Sequence, residues 1–395
     1  MFSISKYSIT LLVASLIVAG CSTMRPQVAV PAKSSSTAEQ HVAPLPLMQP
    51  QTVKIALLLP LTGASKDLGR SMQDAAQLAL VNSNVPLVEL LPIDTEASQG
   101  GGSEAAKSAV AQGAKVIVGP IFSAATSTAI PVAHNAHIAL VSFSNNTALK
   151  REGVYLIGFM PDQQIKRVAR YALTQGKTDF YVLAPATTYG KTAVAALGDA
   201  LQGSEGSIQK TEYYPEQGDE GAKLAIKSIS DAIKNALNTQ GKIESTALLI
   251  PEGGEKLNKI ISNLALSGVD LSRVKLLGSG QWDDDSTKKN PLLQGGWFAG
   301  ASPEQHKLFE QQFYDQFGYK PQRISSLAYD AVALLVALYS QQQDFSKTSL
   351  THSQGFSGVD GIFRFRSDGL SERGLSVLQI NNGDVQVQDP APSAF

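Results

Sequence analysis

The sequence predicts an α/β protein that contains two doubly wound parallel sheets. Short apolar runs alternate with stretches of helical periodicity along most of the chain, which is the pattern of parallel strands joined by helices. The run Val53–Pro60 is apolar almost throughout, as a strand buried on both faces requires. Several such runs end in loops of small hydroxyl and amide residues, and open parallel sheets bind ligands at such loops.

The first sheet is predicted from a regular alternation of strand and helix. The expected strands are 53–60, 87–91, 115–118, 138–142 and 153–158. Three helices are expected between them: one that begins near Gly69, one at 104–112 and one at 124–136. In the first helix, Met72, Ala75 and Ala79 share one face at helical spacing. The order β-α-β-α-β-α-β indicates right-handed crossovers and a doubly wound sheet.

A second unit repeats this alternation. Its expected strands are 180–184, 209–214, 246–250, 274–277 and 296–300, and its expected helices are 162–175, 189–202, 219–238 and 254–266. Two amphipathic helices, 303–317 and 324–341, follow it. Gly361–Arg366 and Leu375–Asn381 are then predicted to form an antiparallel pair. These late elements are too few for a third domain, so they are expected to complete the first two.

The N-terminus has the pattern of a secretion signal. Lys6 precedes an apolar run, Ile9–Ala19, that is too short for a comfortable membrane span. The run leads into Ala19-Gly20-Cys21, which resembles a bacterial lipobox. A lone cysteine is more often a buried apolar residue, but this position favours lipidation of Cys21. Residues 1–21 are therefore expected to be a lipoprotein signal peptide, and the mature chain then has no free thiol for redox chemistry.

Residues 22–51 are predicted to be a flexible tether. They are rich in Ser, Thr, Pro, Ala, Val and Gln and have little hydrophobic periodicity, so they cannot bury enough surface to fold. A flexible coil of this length spans about 30 Å on average. Ser22, rather than Asp, follows the cysteine, and lipoprotein sorting then implies the outer membrane if the host has two membranes. The expected location is the periplasm, with a lipid anchor in the cell envelope.

Composition and motifs exclude several classes of function. The 34 acidic and 33 basic residues nearly cancel and form no basic stripe, so a nucleic-acid partner is not expected. The five histidines include no His-Glu-x-x-His pair, and His134 and His137, three residues apart on a helix, have no apparent third ligand. No phosphate-binding loop or hydrolase nucleophile motif is present. Asp283-Asp284-Asp285 lacks the spacing of a calcium loop and is interpreted as a solvated loop. We expect no enzyme, no metal and no cofactor.

Seven segments carry a resemblance to a known family: Lys54–Gly63, Gly69–Ala79, Val118–Ser123, Val141–Ser144, Tyr189-Gly190, Leu327–Ala331 and Phe356–Phe365. Their order and spacing resemble the type I periplasmic binding proteins of the leucine/isoleucine/valine-binding group, over residues 52–385. Three more segments, Leu249–Glu255, Gly278–Asp284 and Gly295–Phe298, are most similar to lipoproteins of the penicillin-binding protein activator type.

The resemblance implies two Rossmann-like lobes, joined by three crossovers, that close on a ligand by a hinge motion. The crossovers are expected near 158–161, 300–303 and 342–358. Lobe one would then comprise 52–158 plus 303–342, and lobe two 159–302 plus 343–388.

The same resemblance points to six candidate ligand-binding residues. Ser123, Ser144 and Asn145 align with family loops that hold a ligand's carboxylate through hydroxyls and backbone N–H groups. Their alternative role is to cap helices and turns, with Ser123 capping the helix that follows it. The Asn145-Asn146 pair differs from the smaller stretch found at this loop in the family's amino-acid binders.

The other three candidates follow strands of the second unit. Tyr189 aligns with a cleft tyrosine of the family, and lobe packing is its alternative role. Glu252 stands where the family often places an acid for an α-amino group, and a solvated turn is the alternative. Trp282 is interpreted as a ligand contact or an exposed partner-binding anchor, because core packing is disfavoured beside three aspartates.

Two functions follow from the resemblance. The first is a solute receptor that binds a small amino-acid-like ligand between its lobes and delivers it to an ABC-type permease for amino acid transport. The alternative is a regulator that docks on a peptidoglycan synthase, with a cleft that need hold no ligand. Ser22 and the tether favour the second function, because an outer-membrane anchor must reach inward, whereas the Ser123 and Ser144 loops favour the first.

Overall fold

The computed structural model describes residues 52–96, 98–216, 218–239 and 242–395. The predicted signal segment, Cys21 and the tether lie outside these ranges. The described part is an α/β protein with two sheets of mainly parallel strands, each flanked by helices, which confirms the predicted fold class.

The first sheet consists of five parallel strands: β1 (Val53–Leu59), β2 (Val88–Asp94), β3 (Val116–Val118), β4 (Ala139–Ser142) and β5 (Val154–Leu156). Their order is β2-β1-β3-β4-β5, so the strand order reverses direction beside β1. Residues 55–59 of β1 are fully buried, as their continuous apolar sequence predicted. The reversal places the loops after β1 and β3 side by side at the carboxyl edge, where such sheets bind ligands.

Three helices, α1 (Lys66–Ser83), α2 (Gln99–Ala111) and α3 (Ser123–Asn135), connect these strands. α2 begins five residues before the predicted start at Glu104 and so includes three glycines at its N-terminal end. Ser98 caps it by accepting a 2.9 Å hydrogen bond from the Gly101 N–H group. Gly102 allows close contact with α3, because a Cβ added there would lie 2.1 Å from the carbonyl oxygen of Ala125.

Replacing Gly102 with Ala should therefore force α2 and α3 apart. We expect a loss of about 1–3 kcal/mol in the free energy of unfolding, since extra atoms in a close contact cost this much. The matched control is Gly100→Ala, in the same turn, where an added Cβ meets nothing within 4 Å. The control should be neutral or slightly stabilising because Ala favours helix. Equal urea midpoints for the two variants would contradict the close contact.

The second sheet begins with five parallel strands, β6 (Asp179–Pro185), β7 (Ser207–Tyr214), β8 (Thr246–Leu249), β9 (Lys275–Gly278) and β10 (Trp297–Gly300). The accompanying helices are α4 (Pro161–Thr174), α5 (Thr188–Leu201), α6 (Asp219–Leu237), α7 (Lys242–Ser245), α8 (Gly254–Leu266) and α9 (Asp285–Lys288). The bounds agree with the predicted elements to within about two residues, and the short α7 and α9 are additional.

The C-terminal quarter of the chain contributes to both units. Its elements are α10 (Pro303–Phe317), α11 (Ser326–Ser340), α12 (Lys347–Leu350), β11 (Phe356–Gly358), β12 (Gly361–Phe365), β13 (Ser371–Arg373), β14 (Ser376–Asn381) and β15 (Asp384–Asp389). Phe309 and Phe313 of α10 and Ala331 of α11 are buried in the core under the first sheet. The two helices therefore pack on the first unit.

The predicted antiparallel pairing of Gly361–Arg366 with Leu375–Asn381 is wrong. β12 pairs with β11 and β13 in a separate three-stranded sheet, whereas β14 pairs with β10 and β15. The second sheet thus has seven strands in the order β15-β14-β10-β9-β8-β6-β7. The burial of β14 explains its place: Val377 and Leu378 point to opposite faces and are both buried, which requires a strand covered on both sides.

The small sheet packs on the first unit, although the sequence placed residues 343–388 in lobe two. Phe363 and Phe365 of β12 are buried in the same core as β1 and α11. Side chains enter the second core from Leu375 onward. The third passage between the lobes therefore lies between β13 and β14, later in the chain than the predicted 342–358.

The segment Arg323–Ser340 is the one helical stretch among the described residues with the length and composition of a membrane span. Packing accounts for its composition, because 61% of it is buried and α11 lies against α1 in the first core. A core helix of a two-layer α/β unit needs the same apolar residues.

Candidate functional site

A cleft of about 580 Å³ lies between the two units, at the carboxyl ends of their strands. The first unit contributes Asn145, Arg323 and Ile324 to its lining, and the second contributes Gln164, Tyr189 and the Gly253-Gly254 turn. Gly300 and Ala301, at the second passage between the units, form part of its wall. The volume and mixed lining are typical of small-molecule sites.

Of the three first-lobe candidates, only Asn145 lines this cleft. Ser144 is 4% exposed, and its Oγ accepts a 3.2 Å hydrogen bond from the Asn146 N–H group, so it shapes the turn. Ser123 is exposed and is the first residue of α3, whose N-cap is Phe122. The expected capping by the Ser123 side chain is therefore wrong, because Ser123 is the first residue inside the helix and not the N-cap residue that precedes it.

Tyr189 lines the cleft on the side of the second sheet. Its hydroxyl donates a 2.7 Å hydrogen bond to Ser279 Oγ, in the loop that follows β9. Burial raises the pKa of Tyr189 to about 12, so the ring stays neutral at physiological pH. The hydrogen bond holds the ring in place and uses its only O–H donor.

Glu252 does not line the cleft, although the turn that follows it does. Its carboxylate accepts a 2.8 Å hydrogen bond from the Tyr214 hydroxyl, and Lys256 Nζ lies 3.4 Å from the same oxygen. Burial and the Glu252 charge both raise the pKa of Tyr214, which keeps this donor protonated. Glu252 is thus engaged within the second unit.

Trp282 is a core residue, so its interpretation as an exposed anchor is wrong. Its side chain is fully buried, and the indole N–H donates a 3.2 Å hydrogen bond to the Ile250 carbonyl. The ring lies against Gly278, where an added Cβ would come within 2.1 Å of it, and its centroid is 6.5 Å from that of Phe298. A tight turn at Gly280–Trp282 folds the ring inward and leaves the following aspartates outside.

The three aspartates have separate roles, and the solvated-loop interpretation fails for two of them. Asp283 lies between Arg323, at 2.8 Å, and Lys288, at 3.2 Å. Burial opposes its ionisation, but these two cations hold the pKa of Asp283 below its ordinary value. Asp284 caps α9 by accepting hydrogen bonds from two backbone N–H groups. Within the described ranges, no cluster of potential metal ligands is found.

Arg323 was not among the predicted site residues, yet it links the two units across the cleft. Its Nε donates to Asp283 of the second unit, and its Nη1 lies 3.2 Å from the fully buried Asp360 of the first. Its guanidinium also lies over the Phe159 ring, 5.2 Å from the centroid. Although burial disfavours both charges, Arg323 holds the pKa of Asp360 low and the carboxylates raise the pKa of Arg323.

A second buried ion pair lies behind Phe159. Arg373 Nη1 is 3.1 Å from Asp330 Oδ2, and both side chains are almost completely buried. The Arg373 guanidinium also lies over the Phe159 ring, 5.2 Å from its centroid. Burial raises the pKa of Asp330 to about 6 in spite of the neighbouring Arg373 charge. The two arginines therefore fix one aromatic wall of the cleft.

Two parallel α/β lobes, three passages of chain between them and a cleft at their facing strand ends define a two-lobed ligand-binding protein. The chain belongs to the periplasmic binding protein family, whose sequence profile matches residues 52–384. It resembles the type I, leucine-binding-like members, which agrees with the resemblance noted in the sequence.

Individual relatives are distant. The uncharacterized protein RP748 of Rickettsia prowazekii (strain Madrid E) is 23% identical over 334 residues, which are 84% of this chain and 87% of the relative. The leucine-binding protein LivK of Thermotoga maritima MSB8 is 19% identical with a TM-score of 0.65, covering 86% of this chain and 98% of that chain. A solute-binding protein of an ABC transporter from Rhodopseudomonas palustris BisB5, in complex with 3,4-dihydroxybenzoic acid, is 18% identical with a TM-score of 0.66. The match covers 87% of this chain and 97% of that chain.

Proposed function

We propose that this protein is a non-enzymatic extracytoplasmic solute receptor. It binds a small ligand of amino-acid size between its two lobes and delivers it to an ABC-type permease. The observation that carries the proposal is the cleft, which is lined by both lobes at their strand ends and has room for such a molecule. The leucine-binding and dihydroxybenzoate-binding proteins of the same fold support this function.

The receptor is proposed to be held at the cell envelope by lipid on Cys21. A tether of about 30 Å would let the body move near its anchor. The lipobox-like sequence before Cys21 and membership of an extracytoplasmic family support this location. Docking on a peptidoglycan synthase, the alternative drawn from the sequence, stays a prediction.

Ligand binding is tested by thermal unfolding of the protein in a screen of small amino acids and organic acids. A ligand at one hundred times its Kd should stabilise the fold by about 2.7 kcal/mol and raise the melting temperature by about 5 °C. The variant Asn145→Trp should abolish this rise, because the bulky ring would fill the cleft that Asn145 lines.

The matched control is Ser123→Trp, in an exposed position of the same lobe outside the cleft lining. The control should keep the full rise in melting temperature. A rise that survives in Asn145→Trp would place the ligand elsewhere, and a screen without any stabilising compound would contradict the proposed function.

A further inference from the structure

Two side chains in the cleft present hydrogen-bond donors that no described residue engages. Gln164 is 6% exposed, and its Oε1 accepts a 3.0 Å hydrogen bond from the Gly280 N–H group, which orients the amide. Within the described residues its Nε2 has no partner, yet this atom is not sealed from solvent. Since Gln164 lines the cleft, the free amide N–H groups are available to a ligand there.

Arg323 supplies the second free donor. Its Nε and Nη1 are engaged by Asp283 and Asp360, whereas Nη2 has no hydrogen-bond partner in the described part of the chain and is not sealed from solvent. The two carboxylates and the Phe159 ring fix the plane of the guanidinium. An arginine held in this way needs little reorganisation to bind a carboxylate with its remaining N–H groups.

The N-terminus of α8 adds backbone donors to the same cleft. The helix spans Gly254–Leu266, and its N-cap, Gly253, provides no side-chain hydrogen bond to the first turn. Both Gly253 and Gly254 line the cleft. The unpaired N–H groups and the positive end of the helix dipole favour an anion.

The three carboxylates in or next to the cleft are already engaged by other groups of the protein. Asp283 lies between Arg323 and Lys288, and Asp284 caps α9. The Glu252 carboxylate is held by Tyr214 and Lys256. A ligand ammonium group would therefore compete with an existing partner for each of these carboxylates, and displacing that partner costs the free energy of its interaction.

We propose that the preferred ligand is an organic carboxylate with an apolar or aromatic body and no ammonium group, anchored by Arg323 Nη2 and Gln164 Nε2. Phe159, Ile324 and Leu375 provide the apolar contacts for the body. This inference rests on the proposed solute-receptor function and defines its ligand class. It also assigns Arg323 and Gln164 as the residues that determine specificity.

Two matched series of compounds test the ligand class by calorimetric titration. The first is 4-methylpentanoate, leucine and 3-methylbutylamine, and the second is 3-phenylpropanoate, phenylalanine and 2-phenylethylamine. Each series keeps the apolar body and varies only the charged groups. We expect the carboxylate to bind at least about tenfold more tightly than the amino acid, because the ammonium group would lose its water without gaining a free partner. The amine lacks the charge-assisted hydrogen bonds to Arg323 and should show no binding.

The variant Gln164→Glu should weaken carboxylate binding by about tenfold or more, since it replaces a free donor with a negative charge but keeps the acceptor for Gly280. Gln77→Glu, which adds the same charge at an exposed position of α1, is the control and should bind as the wild type does. This pair avoids the folding loss expected on removing Arg323 from the buried Asp360.

Tighter binding of leucine or of either amine than of the carboxylates would overturn the proposed ligand class and leave the receptor function in place. Unchanged carboxylate binding in Gln164→Glu would overturn the assignment of the donors. Absence of every cleft-dependent ligand in the wider screen would instead overturn the receptor function itself.

Discussion

Trp282→Ala is expected to destabilise the protein by about 3–5 kcal/mol, the range for removing a fully buried large aromatic side chain. The indole fills the space between Gly278 and Phe298 in the second core and satisfies the Ile250 carbonyl. The variant would leave a cavity and lose the indole hydrogen bond, whereas the Ile250 carbonyl keeps its 2.9 Å hydrogen bond from the Glu252 N–H group. Urea unfolding followed by circular dichroism measures the loss.

Leu266→Ala is the control, because Leu266 is 85% exposed at the end of α8 in the same lobe. Its effect should stay within about 0.5 kcal/mol, as for most exposed positions. If Trp282→Ala unfolds at the same urea concentration as the wild type, Trp282 is a surface residue and the packing described for the second lobe is wrong.

The second large effect is expected for Arg373→Met, with a loss of about 3–5 kcal/mol at neutral pH. Removing one partner of a buried ion pair leaves the other charge uncompensated, which costs about 3–5 kcal/mol of stability. Asp330 is fully buried and, among the described residues, would keep only the Val359 N–H group as a donor. Arg366→Met is the control: Arg366 is 42% exposed and pairs with Asp368 at 2.9 Å, so its loss should cost less than about 1 kcal/mol.

The pH dependence of Arg373→Met provides an independent test. Burial raises the pKa of Asp330 to about 6 from its ordinary 3.8, so the native state binds this proton more strongly than the unfolded state does. Such a group makes the fold less stable as pH rises from about 4 to its native pKa. Without Arg373 the native pKa rises further, and the loss should therefore be smaller at pH 5 than at pH 8. A loss that is equal at both pH values would contradict a charged Asp330 as its cause.

The elements that the sequence predicts well are those whose signal is local. The strand expected at 180–184 is found at Asp179–Pro185, and the helix expected at 254–266 is found at Gly254–Leu266. Continuous apolar runs and helical periodicity report burial directly, so packing and local pattern agree there. The start of α2 was missed because glycines disfavour helix locally, whereas the close contact of Gly102 with α3 depends on the tertiary fold.

The site was only partly predictable, because its decisive contacts join distant parts of the chain. Asn145 and Tyr189, to which the resemblance points, both line the cleft, and their contact with a ligand stays a prediction. Arg323 acquires its role from Asp283 and Asp360, which are 40 and 37 positions away in sequence. Trp282 looked exposed beside three aspartates, but the glycines at 278 and 296 make room for its ring. Such contacts depend on the tertiary fold, and no local sequence motif predicts them.

The central claim is that a small ligand binds between the two lobes. The most direct test is the distance between spin labels on Val81→Cys in α1 and Leu266→Cys in α8, both exposed positions, in a Cys21→Ser background. A saturating amount of the compound that raises the melting temperature most in the thermal screen should shift the interlobe distance distribution of this protein and leave that of the additional variant Asn145→Trp unchanged. An unchanged distribution in the first protein, or an equal shift in both, would contradict binding in the cleft.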